Sequence, residues 1–153
     1  MTVLTDTQIV NASGGLVELG YSTQATNVTV SAIGGTTTAN TTSVIPSATV
    51  VCDGSPVIIE FSVGYCYPAS TIGAYINFQL FRDGSLVAAV GSNQTPTANP
   101  DSKSVMGQYR DTPTAGSHTY EIRAYRDNGT GTAVVGASGW APMLMRVSKI
   151  VQA

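Results

Sequence analysis

The sequence predicts an all-β protein: a two-sheet antiparallel sandwich of jelly-roll type with an extended N-terminal arm. Three observations predict it. Only 10% of the 153 residues are Asp, Glu, Lys or Arg; Thr, Ser, Gly and Asn supply the polarity, and these favour strands or turns over helices. Apolar residues recur with period two, and no segment offers a helical period. Turn signals fall about every ten residues, the spacing of a β-sandwich. We find no internal repeat and no linker, so the expected organisation is an arm over 1–15 and one sandwich domain over 16–153.

The arm, "MTVLTDTQIVNASGG", has neither the basic start nor the apolar run of a secretory signal. Strands are expected at Leu16–Tyr21, Asn27–Ile33 and Thr49–Cys52, with 34–47 as a loop that could hold a short edge strand. "PVIIEFSVGYCY" carries the clearest alternation: Val57, Ile59, Phe61, Val63 and Tyr65 share one face, and Ile58, Glu60, Ser62, Gly64 and Cys66 the other. One face is buried and one solvated, as in an antiparallel sheet. In "GAYINFQLFRDGSLVAAV", Ile76, Phe78 and Leu80 alternate with Asn77 and Gln79, and Asp83-Gly84 turns the chain into Leu86–Val90. Asp-Gly between two such runs is a hairpin signal, because a type I′ turn needs two residues tolerant of positive φ. The stretch 91–104 reads as a surface loop, since Pro96 and Pro100 cannot sit in a central strand.

Next, Tyr120, Ile122 and Ala124 share a face against Thr119, Glu121, Arg123 and Tyr125; Asp127-Asn128-Gly129 then turns into Thr132–Ala137. The last strand runs through "APMLMRVSKIVQ", 141–152. The only histidine, His118, stands at the entry of the Tyr120 strand, at the edge of the core. A loop carbonyl is expected to satisfy it. Cys52 and Cys66 lack a C-x-x-C spacing; they could pair, but free buried thiols fit a reducing compartment better.

Composition excludes several classes of function. The formal charge is −2 and no basic cluster exists to neutralise phosphates, so no nucleic acid is expected as a partner. No segment approaches the ~18 apolar residues that span a bilayer. One histidine without a G-x-S-x-G elbow does not make a triad. One His and two separated Cys do not make a zinc site, and "DNGTG" and "NPDS" lack the acidic ligands of a calcium cage. Glu60 and Glu121 could serve as the two carboxyls of a glycosidase if they faced each other across a cleft; pairing with Arg82, Arg123 or Lys149 on a solvated sheet is the plainer reading. No cofactor and no catalytic residue are expected.

What the chain has in quantity is apolar and aromatic residues where a monomer would meet water. Phe81, Tyr125, Ile58 and Leu144 have the parity opposite to their strands' core sets, and "SGWAPMLMRV" places Trp140, Met143 and Met145 near a sheet end. Aromatics and Met with few charges compose an interface. Either copies of the chain cover these faces or its own arm and loops do. The first is the expectation, with Phe81, Tyr125, Trp140, Met143 and Met145 in a trimer contact.

"LTDTQIVNASGGLVELGYS", "TAGSHTYEIRAYRDNGTGT" and the closing "APMLMRVSKI" resemble small jelly-roll virion proteins of tailed bacteriophages. The resemblance rests on a P-x-A-G-x-H-T-Y entry (Pro113, Ala115, Gly116, His118, Thr119, Tyr120), a turn at Gly129, Thr130 and Gly131, and Pro142 before the last strand. Such proteins are similar to the trimeric jelly rolls of the tumour-necrosis-factor type. The resemblance implies a homotrimer bound to the major capsid protein or another virion protein, assembled in the host cytoplasm and found in the virion. Two roles follow from it. In a capsid decoration protein, Leu4, Ile9 and Val10 would anchor the arm on its partner. In a minor tail or receptor-binding module, Tyr65 and Tyr67 would contact a host glycan or protein.

Overall fold

The computed structural model describes residues 15–67, 74–94, 103–127, 133–137 and 141–151. Ten strands run β1 (Gly15–Gln24), β2 (Val28–Val30), β3 (Thr42–Asp53), β4 (Val57–Tyr67), β5 (Tyr75–Arg82), β6 (Ser85–Gln94), β7 (Lys103–Asp111), β8 (Ala115–Asp127), β9 (Ala133–Gly136) and β10 (Met143–Val151). All strand pairings are antiparallel, and they build two sheets. In the first, β1 pairs β10, β10 pairs β4, and β4 pairs β7. Beyond a break, β2 and β9 continue the lanes of β1 and β10, with β9 on the far end of β4. The second sheet has the order β3-β8-β5-β6.

The core lies between the two sheets and follows the period-two pattern. Val57, Ile59, Phe61 and Val63 of β4 face Ile76, Phe78 and Leu80 of β5 and Tyr120, Ile122 and Ala124 of β8. The Phe61 and Phe78 rings meet at 5.8 Å in a tilted contact. The β5–β6 hairpin turns at Asp83 and Gly84, both with positive φ (51° and 78°), as a type I′ turn demands.

The structure departs from the sequence reading at four places. Between Val63 and Cys66 the β4–β7 register shifts. One extra residue there reverses the alternation, so Cys66 is buried in the core while Tyr65 is not. Residues 103–111, assigned in part to a loop, form β7. The edge strand that 34–47 could hold begins at Thr42 and is not a separate short one: it runs on to Asp53 as β3, at the edge of the second sheet, with two irregularities between Ser43 and Ala48.

The fourth departure concerns the interface residues. Phe81, Met143 and Met145 are 1%, 0% and 0% exposed within a single chain, so none can form a contact between folded copies. Met143 and Met145 alternate with Leu144 and point inward with Val147. Phe81 has outward parity, but the chain's own 33–41 segment crosses that face. Gln79 Nε2 donates to the Gly35 carbonyl at 2.8 Å. Arg123, whose guanidinium lies 5.9 Å from the Phe81 ring centroid, donates to the Thr38 and Thr41 carbonyls at 3.0 and 3.1 Å. At Phe81 it is the chain itself, not a second copy, that excludes water. Tyr125 is half-buried on the outer side of β8. Trp140, the expected Asn128–Gly129 turn, and Leu4, Ile9 and Val10 of the arm lie outside the described residues.

Candidate functional site

The outer face of the first sheet is open. Its cross-strand rows read Thr23–Leu144–Ser62–Met106, then Tyr21–Arg146–Glu60–Gln108, then Glu18–Ser148–Ile58–Arg110. Met106 is 77% and Tyr21 53% exposed, and Leu16 continues the apolar run on β1. Ser62, a small residue in the middle of the face, leaves a shallow concavity of about 410 Å³ between Tyr21, Leu144 and Met106, lined also by Gly107, whose absent side chain would point into the core. Gly107 cannot carry a side chain. A Cβ there would come within 2.2 Å of the Phe61 ring and 2.5 Å of the Val90 carbonyl oxygen.

At the centre of the concavity Arg146 donates to Glu60 Oε2 through Nη2 at 2.6 Å and Nε at 3.0 Å. Those hydrogen bonds hold the Arg146 pKa above its ordinary value. Glu60 is thus committed to an arginine. Glu121 is likewise paired with Arg123 at 2.9 Å, on the outer side of the other sheet. The two carboxyls stand on opposite outer faces of the sandwich and share no cleft. Among the described residues, no three His, Cys, Asp or Glu side chains converge as metal ligands. Both thiols are free and buried, and burial pushes the Cys66 pKa up to about 12, which leaves negligible thiolate at neutral pH.

Tyr65 and Tyr67 form an edge-to-face pair with centroids 5.4 Å apart. The Tyr65 hydroxyl donates to Asn27 Oδ1 at 2.8 Å, and the Ala137 N–H donates to the same oxygen at 3.1 Å. Asn27 therefore ties β4 to the end of β9. Tyr65 lies so close to the Gly136 backbone that a Cβ at Gly136 would stand 1.9 Å from the ring. This half-buried ring is held as a structural member, and Tyr67 carries more of the pair's exposure.

His118 sits in a clasp. Its Nδ1 meets Asp83 Oδ2 at 2.7 Å and its Nε2 meets the Thr114 carbonyl at 3.0 Å, while the Thr119 N–H donates to Asp83 Oδ1 at 2.8 Å. The loop carbonyl expected from the sequence is Thr114. Both ring nitrogens face acceptors, so only the imidazolium can donate to both. Asp83, then the Thr114 carbonyl, raise the His118 pKa, while His118 holds the Asp83 carboxyl below its usual range. A raised histidine contributes stability fully below its unfolded value of about 6.5 and loses it as pH rises through the folded value. A depressed Asp contributes above about 3.9 and loses its share on acidification. The clasp should therefore be tightest between about pH 4 and about pH 6.5. The melting-temperature advantage of the wild type over His118→Gln should narrow as the pH is raised from about 6.5 into the alkaline range. A gap that stays constant over that range would show that protonation does not hold the clasp.

No family model matches the sequence, and no curated protein sequence matches it. Solved structures do match. The tumour-necrosis-factor protein Eiger from S. frugiperda superposes with a TM-score of 0.53 at 11% identity, over 90% of this chain and 96% of that one. The fold is a jelly-roll β-sandwich. Looser likenesses include the C-terminal CBM6 of LamC from Zobellia galactanivorans, with a TM-score of 0.30 and 11% identity over 88% of this chain and all of that one. Another is the CBM22-1 xylan-binding domain of Paenibacillus barcinonensis Xyn10C, with a TM-score of 0.33 and 15% identity over 92% of this chain and 97% of that one. At these identities the jelly roll shares architecture with its neighbours; function has to be argued from its own residues.

Proposed function

We propose that this jelly roll is a non-enzymatic structural protein of a bacteriophage virion, a trimer on the particle exterior that decorates the capsid. The observation that carries the reading is the asymmetry of the sandwich. One sheet is roofed in part by residues 33–41, while the other presents Tyr21, Leu144, Ile58 and Met106 around an internally neutralised ion pair. Such a face gains free energy when a protein surface covers it, at roughly 25 cal/mol per Å² of apolar area. The virion setting comes from the P-x-A-G-x-H-T-Y entry and the closing strand of the sequence. A protein that binds only the assembled shell stabilises it by mass action, with no chemical step.

In this reading residues 2–14, with Leu4, Ile9 and Val10, grip the capsid. Deleting 2–14 should lower the number of copies per particle at least about tenfold, a loss of about 1.4 kcal/mol of binding. The truncated chain should still melt cooperatively. Quantitative mass spectrometry of purified particles reads the copy number. Unchanged occupancy would overturn the arm's role, and absence of the full-length chain from particles would overturn the virion assignment itself.

A further inference from the structure

The open face is charged in a pattern that a second copy of the same chain would complete. Its four charged residues, Glu18, Glu60, Arg146 and Arg110, sum to zero. Glu60 and Arg146 pair within the chain. Glu18 and Arg110 make no ion pair within 4 Å among the described residues, Glu18 acting on Arg146 only from a distance, and they stand at opposite edges of the face, on β1 and β7. Register places them in one row: Glu18 opposite Ser148, Ser148 opposite Ile58, Ile58 opposite Arg110. Three strand spacings, about 14 Å, separate the two ends.

We infer that this face is the surface through which copies of the chain meet, with Arg110 of each copy opposite Glu18 of the next. The inference rests on the oligomer proposed above and names the face that builds it. Rotation about an axis parallel to the strands, in front of the sheet, keeps every cross-strand row at its own height. It also carries the β7 edge of one copy to the β1 edge of its neighbour. Arg110 then meets Glu18, Gln108 meets Tyr21, and Met106 meets Thr23, while Ile58 and Leu144 turn toward the axis. This holds for a closed pair or ring of copies. The opposite sheet offers no such match. Arg123 and Gln79 there are already bound to residues 33–41, and Thr49 Oγ1 lies 3.0 Å from Thr119 Oγ1 in a polar ladder.

Sedimentation velocity of the full chain across a dilution series tests the assignment. The wild type should associate. Met106→Asp, at a position too exposed to unfold the chain, should weaken association by roughly a hundredfold. Glu18→Arg and Arg110→Glu should each weaken it by roughly tenfold, and the double exchange should recover most of that loss. Val51→Asp, equally exposed on the other sheet, should change nothing. A wild type that stays monomeric would overturn the oligomer and this face together. An oligomer that ignores Met106→Asp and both charge reversals would overturn the face alone.

Discussion

Asp111→Ala should lower the stability of the jelly roll by about 3 kcal/mol, because it leaves the buried Tyr120 hydroxyl and the part-buried Arg82 guanidinium without their shared acceptor. Asp111 closes β7 and is the point where the open sheet is bolted to the other one. Its Oδ2 accepts from Arg82 Nη1 on β5 and from the Tyr120 hydroxyl on β8, each at 2.7 Å. Its Oδ1 accepts from the Thr112 N–H at 2.8 Å. Tyr120 is fully buried, and burial followed by the neighbouring Asp111 charge raises its pKa, so it stays a neutral donor at any working pH. Without the carboxylate, the buried Tyr120 hydroxyl loses its acceptor and the part-exposed Arg82 guanidinium loses its ion-pair partner. For a domain of this size the loss corresponds to roughly 6–12 °C in melting temperature.

Asp111→Asn separates charge from shape. The amide retains one acceptor oxygen, so it should cost about half as much as the alanine, the difference being the charge assistance of the Arg82 bond. Urea unfolding of the three proteins gives the numbers. A loss below about 1 kcal/mol in the alanine variant would mean that water replaces the carboxylate and that the bolt is dispensable. The functional consequence lies one residue away. Arg110 and Met106 ride on the strand that Asp111 pins, so the alanine variant should also blur the edge of the proposed contact face.

The parts of this architecture that were legible in the sequence are those set by local alternation. Val57–Val63, Ile76–Leu80 and Tyr120–Ala124 each announce an inner and an outer face, and the structure buries the expected members. Asp83-Gly84 announces its own turn because few other pairs tolerate its dihedrals. The parts that were not legible depend on distant contacts. Gly107 interrupts the alternation Val105–Tyr109, and that glycine is required by the Phe61 ring and the Val90 carbonyl, neither of which is near in sequence. The sequence reading therefore leaves 105–111 without an element, and with them Met106 and Arg110. Their signal was present in "KSVMGQYR", where Met106, Gln108 and Arg110 alternate with Val105 and Tyr109. The bulge after Val63 exchanges the roles of Tyr65 and Cys66 by one inserted residue. The candidate face was thus half visible: Ile58 and Leu144 could be named from parity, whereas Tyr21, Met106 and the Glu18–Arg110 row needed the register.

Phe81→Ala is expected to be the costlier substitution, at about 4 kcal/mol, the usual penalty for truncating a fully buried phenylalanine. It also decides between two meanings of the same outward parity. If Phe81 were covered by a neighbouring copy, alanine would weaken association and leave a dilute monomer as stable as before. In the structure the ring is instead 1% exposed in a lone chain, beneath Arg123 and the 33–41 segment. Alanine therefore opens a cavity inside the monomer and removes the aromatic face under the Arg123 guanidinium, a contact worth about 0.5–1 kcal/mol where partly exposed. The segment itself should loosen, since Arg123 anchors it through the Thr38 and Thr41 carbonyls and through Thr41 Oγ1 at 2.8 Å. Hydrogen exchange at the backbone amides of Gly35–Thr41 should accelerate before the sandwich melts, because the roof opens as a local unit. Unfolding measured at concentrations low enough to keep the chain monomeric should show the full loss. Equal stability of the two monomers, with exchange in 35–41 unchanged, would mean that the ring is sheltered by something other than its own chain.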